Sequence, residues 1–561
     1  MSISIAYLIC RKIINIDITY QSSFTHNHSF LFNTPHPASP QSLAFLCGVN
    51  RLAGNKCKLI CMVKHTRIHD PGCQLFLYGA LAFLWLAPLL QSLCRAQAPV
   101  AQSQNTTFNA TYGHLNSSQA LSLIAQANLS AELSAAILTA VNFERSNWAG
   151  SSTQLDPFYV DVPTNDSHAP AGSVIKVEQY TDTSFYTLSP NVALSRMLFM
   201  TKTLNGTTIP ASAHVLWPWL PRRFANVSGL PVVAWGHGTS GWSGECGPSH
   251  IRNLWYQYSA PFILALQGYV VVAPDYAGLG LDHDSNGTFI PHQYLASPAA
   301  GNDLIYSVQA AQQAWPSLSK KFVIMGHSQG GGAAWGAAQN LAKNPVQGYL
   351  GTIAGSPTTS ILPHNISTLN NGATLGSLLV RVGTGISSVF PSFQLSAWLN
   401  DQGVRSGQLL QGLQGCQSVA LELLSQTDLA QQGWNTSSWY FNALNNLTTN
   451  GGKPFAGPML VLQGTADPSV DPNGTTAAVN ATCQAYPNGS LEYATFEGVT
   501  HVPVLYAGQQ VWLDWIADRF NGVNVSSGCH TTHYQPQLAV SAYQSQVALF
   551  LQYPEYAYET A

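Results

Sequence analysis

After residue 170 the chain settles into short apolar runs separated by longer amphipathic or polar stretches. Continuous runs at 231–235, 269–273, 322–325, 350–354, 459–462 and 491–496 read as strands covered on both faces. Three more strand-like runs precede them, at 174–180, 193–203 and 212–217. Helical or loop segments separate the later runs. The alternation predicts an α/β fold, a mostly parallel central sheet flanked by helices.

Two regions break this rhythm. From Gln97 to about Gly150 the chain is Asn/Ser-rich and then helical in pattern, with Leu121, Ile124, Leu133, Ile137 and Val141 at helical spacing. It reads as an N-terminal helical or linker region reaching residue 170. The second break is the interval of about a hundred residues before the run at 459–462, far more than a crossover needs. Its apolar residues, among them Leu375, Leu379, Phe390, Trp398, Leu409 and Trp434, can build a small core of their own. It leaves the sheet at the carboxyl edge of the strands, where such folds bind ligands. That position favours a helical cap or lid over 358–452. The core is then 171–357 with 453–530, and 531–561 is a tail with no readable pattern.

Composition places the chain outside the cell. Only 8% of the 561 residues are charged, against about a quarter in an ordinary soluble protein, and the net charge is −3. No field of either sign recruits nucleic acid. Beyond residue 97 there are fifteen Asn-x-Ser/Thr sequons, including Asn105, Asn226, Asn365, Asn446 and Asn524. Glycans there supply the surface polarity that charges do not. The apolar run Leu75–Leu93 follows Lys64, His65 and Arg67 and ends in Cys94-Arg95-Ala96-Gln97-Ala98. This suits a signal peptide over 62–96, cleaved after Ala96 or Ala98. Residues 1–61 then read as an over-extended start outside the fold. The rival reading is a signal anchor at 75–93, which is near the lower limit for a membrane span. Four cysteines follow the cleavage site, Cys246, Cys416, Cys483 and Cys529, an even number that implies two disulfides with three possible pairings. No C-x-x-C or His-rich array points to a metal site.

The chemistry centres on Gly326-His327-Ser328-Gln329-Gly330, between the apolar run 322–325 and the small residues Gly331-Gly332-Ala333-Ala334. G-x-S-x-G between a strand and a helix is a nucleophile elbow, so Ser328 is the expected nucleophile. A serine hydroxyl needs a histidine to take its proton and a carboxylate to orient that histidine. On such an elbow they follow in the order Ser, acid, His. Asp467 sits in the loop Gln463–Val470 behind the run Met459–Leu462 and is the expected acid, with Asp471 as its competitor. His501, in the loop after 491–496, is the only histidine between Asp467 and Cys529 and is the expected base. Glu497 is a candidate supporting carboxylate; His530 and His533 come later, in a segment without strand context. The oxyanion formed by attack on a carbonyl needs backbone donors: the N–H of Gln329, and one from Gly238 or Thr239 in Gly236-His237-Gly238-Thr239. His237 reads as a residue that fixes this loop, and Asp275 as a turn carboxylate.

Taken in order, Gly236–Thr239, Val272-Ala273-Pro274-Asp275-Tyr276, the elbow and Gly464-Thr465-Ala466-Asp467 resemble the secretory lipases of the lipase A type. Val215-Leu216-Trp217-Pro218 resembles the end of that family's early strand pair, and the resemblance spans roughly 170–520. It implies an α/β-hydrolase with a helical cap lining an acyl tunnel, acting on lipid or other acyl esters without cofactor or metal. It also implies a monomer with transient contact at a lipid interface, and the pairings Cys246–Cys416 and Cys483–Cys529. Two alternatives share or borrow the fold: an aminopeptidase-like or feruloyl-type esterase, and a non-catalytic binding protein. An acidic cap residue gripping a substrate amine would favour the peptidase.

Overall fold

In the computed structural model, residues 117–163, 169–362, 372–424, 428–434 and 438–545 are described, with five short strands between residues 3 and 63. The signal-peptide segment, its anchor alternative, Asn105, Asn365 and the end of the tail lie outside the described residues. Met1–Ser103 is a unit separate from Gln104–Ala561. In it, Ile3–Ile9 pairs antiparallel with Lys12–Ile18, and Ser29–Leu31, Phe45–Leu52 and Lys56–Val63 form a second antiparallel sheet.

In the larger unit ten strands make one sheet: β1 (Val174–Glu178), β2 (Val192–Lys202), β3 (Thr208–Pro218), β4 (Leu230–Gly236), β5 (Val270–Pro274), β6 (Leu318–His327), β7 (Tyr349–Gly355), β8 (Met459–Gly464), β9 (Leu491–Phe496) and β10 (Cys529–Tyr534). Their order across the sheet is 1-2-3-5-4-6-7-8-9-10. β4 to β10 run parallel, whereas β1, β2 and β3 join through antiparallel pairs. The apolar runs are continuous because successive residues feed two cores. Val233, Val323, Met325 and Leu460 point to one side, and Val232, Ala234, Phe322 and Ile324 to the other.

Helices α1 (Ser117–Gln126) and α2 (Ala131–Ser146) precede the sheet. α3 (Ser297–Ala314) and α4 (Gln329–Lys343) cover one face with Leu304, Val308, Ala333 and Ala337. Between β7 and β8 come α5 (Gly372–Val389), α6 (Asp401–Gly412), α7 (Gln417–Leu424) and α8 (Trp439–Thr448). α9 (Pro472–Ala485) follows β8, and α10 (Gln509–Asn521) covers the second face with Trp512, Trp515, Ile516 and Phe520.

The N-terminal helical or linker region holds two helices that pack on the cap. Ile124, Leu133, Ile137 and Val141 from α1 and α2 share one apolar cluster with Leu379, Val380, Trp398, Leu409 and Val419 of the cap. Leu121 alone of the five patterned residues is exposed. Glu144 at the end of α2 accepts hydrogen bonds from the backbone N–H of Cys416 (2.9 Å) and Val419 (2.8 Å), capping α7 from another helix.

β10 corrects the reading of the C-terminus. His530 and His533 stand on a strand, paired from Cys529 against Leu491 to Tyr534 against Phe496. All six residues of β10 are exposed, so an edge strand held by backbone bonds shows no apolar run to read.

Burial pushes the Glu144 carboxyl up to about 7, against the N–H groups that favour its ionised form. A folded-state value above the unfolded one gives stability that is full at acid pH and lost as pH rises toward 7. The advantage of wild type over Glu144→Gln in Tm should therefore grow by several degrees between pH 7.5 and pH 5. An advantage independent of pH would show that this carboxyl does not titrate with folding.

Candidate active site

β6 ends at His327 and α4 begins at Gln329, leaving Ser328 alone to turn the chain. Its backbone sits at φ 62°, ψ −121°, a strained conformation for any residue with a β-carbon, costing roughly 1–3 kcal/mol. The surroundings hold it there. Ser328 N–H donates to Gly355 O (2.9 Å), and Ser328 O accepts from the N–H of Gly332 (3.0 Å) and Thr358 (3.2 Å). The flanking glycines are needed because β4 ends against the turn: a β-carbon on Gly330 would lie 2.7 Å from His237 O. No side chain caps α4, so its first N–H groups favour negative charge beside Ser328.

Two parallel strands away, β8 leads to Asp467 and β9 to His501. Asp467 Oδ2 lies 2.7 Å from His501 Nδ1. The other carboxylate oxygen accepts from the N–H of Ser469 and Val470, both at 2.9 Å, while Gln463 Nε2 donates to Oδ2 at 3.2 Å. Burial opposes the charge, but His501 and these donors outweigh it and hold the carboxyl below its ordinary range. Asp471 does something else: it caps α9, accepting from Asn473 N–H at 2.9 Å. Glu497 is exposed, and His533 bonds to Thr495, so neither meets His501.

His501 is brought beside the elbow by the residue before the serine. His327 Nε2 bonds to His501 O at 3.0 Å, and the two rings lie 4.5 Å apart. With Nδ1 turned to Asp467, Nε2 of His501 is the nitrogen available for proton transfer.

The oxyanion loop follows β4. A β-carbon on Gly238 would stand 3.1 Å from Ser328 Cβ and collide with the Tyr256 hydroxyl. The N–H groups of Thr239 and Gln329 donate to no described acceptor. Thr239 Oγ1 pairs with Tyr294 Oη at 3.1 Å, and the Gln329 side chain donates to His292 Nε2 at 3.0 Å. His237 fixes the loop, with Nδ1 2.7 Å from Gly238 O, and burial lowers its pKa to about 4. Asp275 accepts from Ser249 N–H (2.7 Å) and the Ser212 hydroxyl (2.6 Å), a structural carboxylate as read.

Sulfur pairs tie the loops down. Cys246 and Cys416 are bonded, as are Cys483 and Cys529, with Cα atoms 5.5 and 5.9 Å apart. These are the pairs the resemblance implied. The first fastens the cap beside the oxyanion loop, where Gln417 N–H also donates to Ser240 O at 3.0 Å. A family model described as "Secretory lipase" matches residues 248–528, half of the chain. The chain belongs to the secretory lipase family. Lipase 4 of Candida albicans (strain SC5314 / ATCC MYA-2876) is 25% identical over 284 residues, 47% of this chain and 58% of that protein. The matched stretch thus spans less than two thirds of the relative. Two X-ray structures of Candida antarctica lipase A, one in its closed state, align with 66% of this chain and 87% of theirs at 19% identity and a TM-score of 0.54. The shared fold is that of the α/β-hydrolases.

Four side chains around the site escaped sequence reading: Tyr256, His292, Tyr294 and the histidine inside the elbow motif, His327. Only His327 stood in a motif. The others come from loops without periodicity. On the cap side, Arg381 lies over the Trp242 ring at 5.5 Å, and Trp242 packs on Tyr294 at 5.4 Å. A cavity of about 660 Å3 lies elsewhere, between the hairpin 203–210, the loop 284–293 and the end of α5.

Gly238→Ala tests the packing of this loop. The new β-carbon has to displace Tyr256 or shift the loop away from Ser328, so a loss of roughly 1–3 kcal/mol is expected. Denaturant unfolding of the purified protein measures it, and unchanged stability would show the loop to be slack.

Proposed function

We propose that this secretory lipase is an extracellular serine ester hydrolase that cleaves acyl esters of lipids through an acyl-enzyme. The observation that carries the reading is the Asp467–His501 bond at 2.7 Å, in a loop held beside the Ser328 elbow by His327. Ser328 Oγ attacks the acyl carbonyl carbon while His501 Nε2 takes the hydroxyl proton. Asp467 holds the ring in the required tautomer and stabilises the imidazolium. The N–H groups of Gln329 and of Gly238 or Thr239 receive the charge that develops on the carbonyl oxygen. When the tetrahedral species collapses, His501 returns the proton to the departing alcohol. Water, deprotonated by the same nitrogen, then releases the acid and restores Ser328. The residues complete this cycle with no cofactor or metal.

The cap favours an acyl chain over a peptide. Its cluster is apolar, and the charged group nearest the Trp242–Tyr294 wall is the cation Arg381. Of the cap carboxylates, Asp401 and Asp428 are exposed and Glu422 is half-buried. The relatives' names, Lipase 4 and lipase A, support the same substrate class.

Secretion agrees with the family. Among the described residues no helix is long and apolar enough to cross a membrane. The nine described sequon asparagines, among them Asn205, Asn226 and Asn524, are all exposed, so the folded surface accepts glycans at each.

The secreted protein should hydrolyse both a soluble short-chain ester and emulsified long-chain triacylglycerol, and Ser328→Ala should hydrolyse neither. Activity on the short ester alone would reduce the assignment to an esterase with a restrictive cap; full activity in Ser328→Ala would end it. Asp467→Asn should lower kcat roughly 10³–10⁴-fold. Asp471→Asn should stay within about twofold, because asparagine also caps a helix. Equal losses in the two variants would reverse the assignment of the acid. Enzymatic removal of N-glycans should lower the apparent mass in several steps and make the protein less soluble; an unchanged mass would leave the low surface charge without its partner.

A further inference from the structure

Tyr256 sits where three loops of the site meet, and it is buried, as is His327. Its hydroxyl lies 2.7 Å from His327 Nδ1. The direction of every bond is fixed by one carbonyl. His501 O only accepts, so His327 Nε2 carries the ring proton. Burial, with His501 adding to it, lowers the His327 pKa to about 3, so the ring is neutral and Nδ1 is an acceptor. The Tyr256 O–H therefore donates to Nδ1, and its oxygen lies against Gly238, where a β-carbon would collide with it. The result is a one-way relay beside Gly238: Tyr256 O–H to His327, His327 N–H to the carbonyl of His501.

A second feature marks the same place. Leu254, Trp255 and Gln257, which flank Tyr256, have φ values of 53°, 71° and 42°. Three non-glycine residues in the left-handed region cost folding energy, and such clusters persist where the surroundings over-determine them. Here the strain delivers one phenol to the point between the oxyanion loop, the nucleophile and the base.

We propose that Tyr256 and His327 are positioning residues that hold the oxyanion loop and the base loop in register with Ser328. The relay does this in two ways. It braces the loop bearing Gly238 and Thr239 through the Tyr256 hydroxyl, which packs against Gly238. It also pins the backbone of His501, whose side chain is pinned separately by Asp467, so the base is fixed at both ends. The inference rests on the ester hydrolase reading of the site. Neither residue touches the substrate; each acts through Gly238, Thr239 or His501.

The test uses the full secreted protein and Tyr256→Phe, His327→Gln and His327→Leu. Four readouts are taken: Tm, the rate of Ser328 labelling by a fluorophosphonate, kcat and KM on a soluble 4-nitrophenyl ester, and the affinity of an alkylboronic acid that builds an oxyanion on the serine. Tyr256→Phe should label about 10–100-fold more slowly, with kcat lowered in step, because small misplacements of catalytic groups carry costs of that size. KM should stay within about twofold, while boronate affinity falls with kcat. His327→Gln keeps a donor at the Nε2 position and should lose less than His327→Leu, a rescue that a packing role would not produce. If His327→Leu fails to fold, Tyr256→Phe decides alone. A folded Tyr256→Phe with wild-type labelling and kcat would overturn the proposal, as would losses confined to KM. A wild-type protein that the fluorophosphonate does not label would instead remove the hydrolase reading, and this proposal with it.

Discussion

The close passage of two backbones fixes everything else at this site. The end of β4 runs against the turn after β6 so tightly that Gly330 cannot carry a side chain without meeting the carbonyls of Gly236 and His237. That contact forces Ser328 to make the whole turn in one strained residue and puts the loop bearing Gly238 and Thr239 beside its hydroxyl. Seven parallel strands supply the rigid frame. Their buried apolar runs cannot slip in register without moving side chains from one core to the other.

Around this contact the electrostatics are arranged by burial. His237, His292 and His327 are all buried near the nucleophile, and each is held neutral, with pKa values lowered to about 4, 4 and 3. Neutral rings have one donor and one acceptor, which is what lets them orient neighbouring carbonyls and amides without adding charge. Asp467 is the exception: it stays ionised because His501 and three hydrogen-bond donors repay the loss of water. The attachment of the cap through Cys246–Cys416 joins it to the loop after β4. Its N-terminal partner helices, capped onto α7 by Glu144, make the cap a product of two distant stretches of chain.

The strands and the order of the three catalytic candidates were readable because they are local. A buried strand is a run of apolar residues, an elbow is five residues, and an acid or base loop follows its strand directly. Residues 318–321 and 208–211 extend strands beyond the apolar runs, since pairing there is held by backbone bonds that side-chain pattern does not record. β10 is the same effect at its limit, a strand of six exposed side chains. Likewise Asp467 and Asp471 are four residues apart and equivalent in sequence. Only the distance to His501 separates the carboxylate that meets the histidine from the one that caps a helix.

The sequence by itself determined the α/β frame, the elbow at Ser328, the placement of Asp467 and His501 after successive strands and an even set of late cysteines. Each follows from local pattern. The tertiary structure alone decided that Tyr256 and His327 join loops separated by some 260 residues between Gly238 and His501. It also decided that α1 and α2 belong to the cap. Those outcomes depend on which backbone donors find partners once the chain is packed, and the energy of an unpaired buried donor is a property of the assembled neighbourhood, not of any stretch of residues.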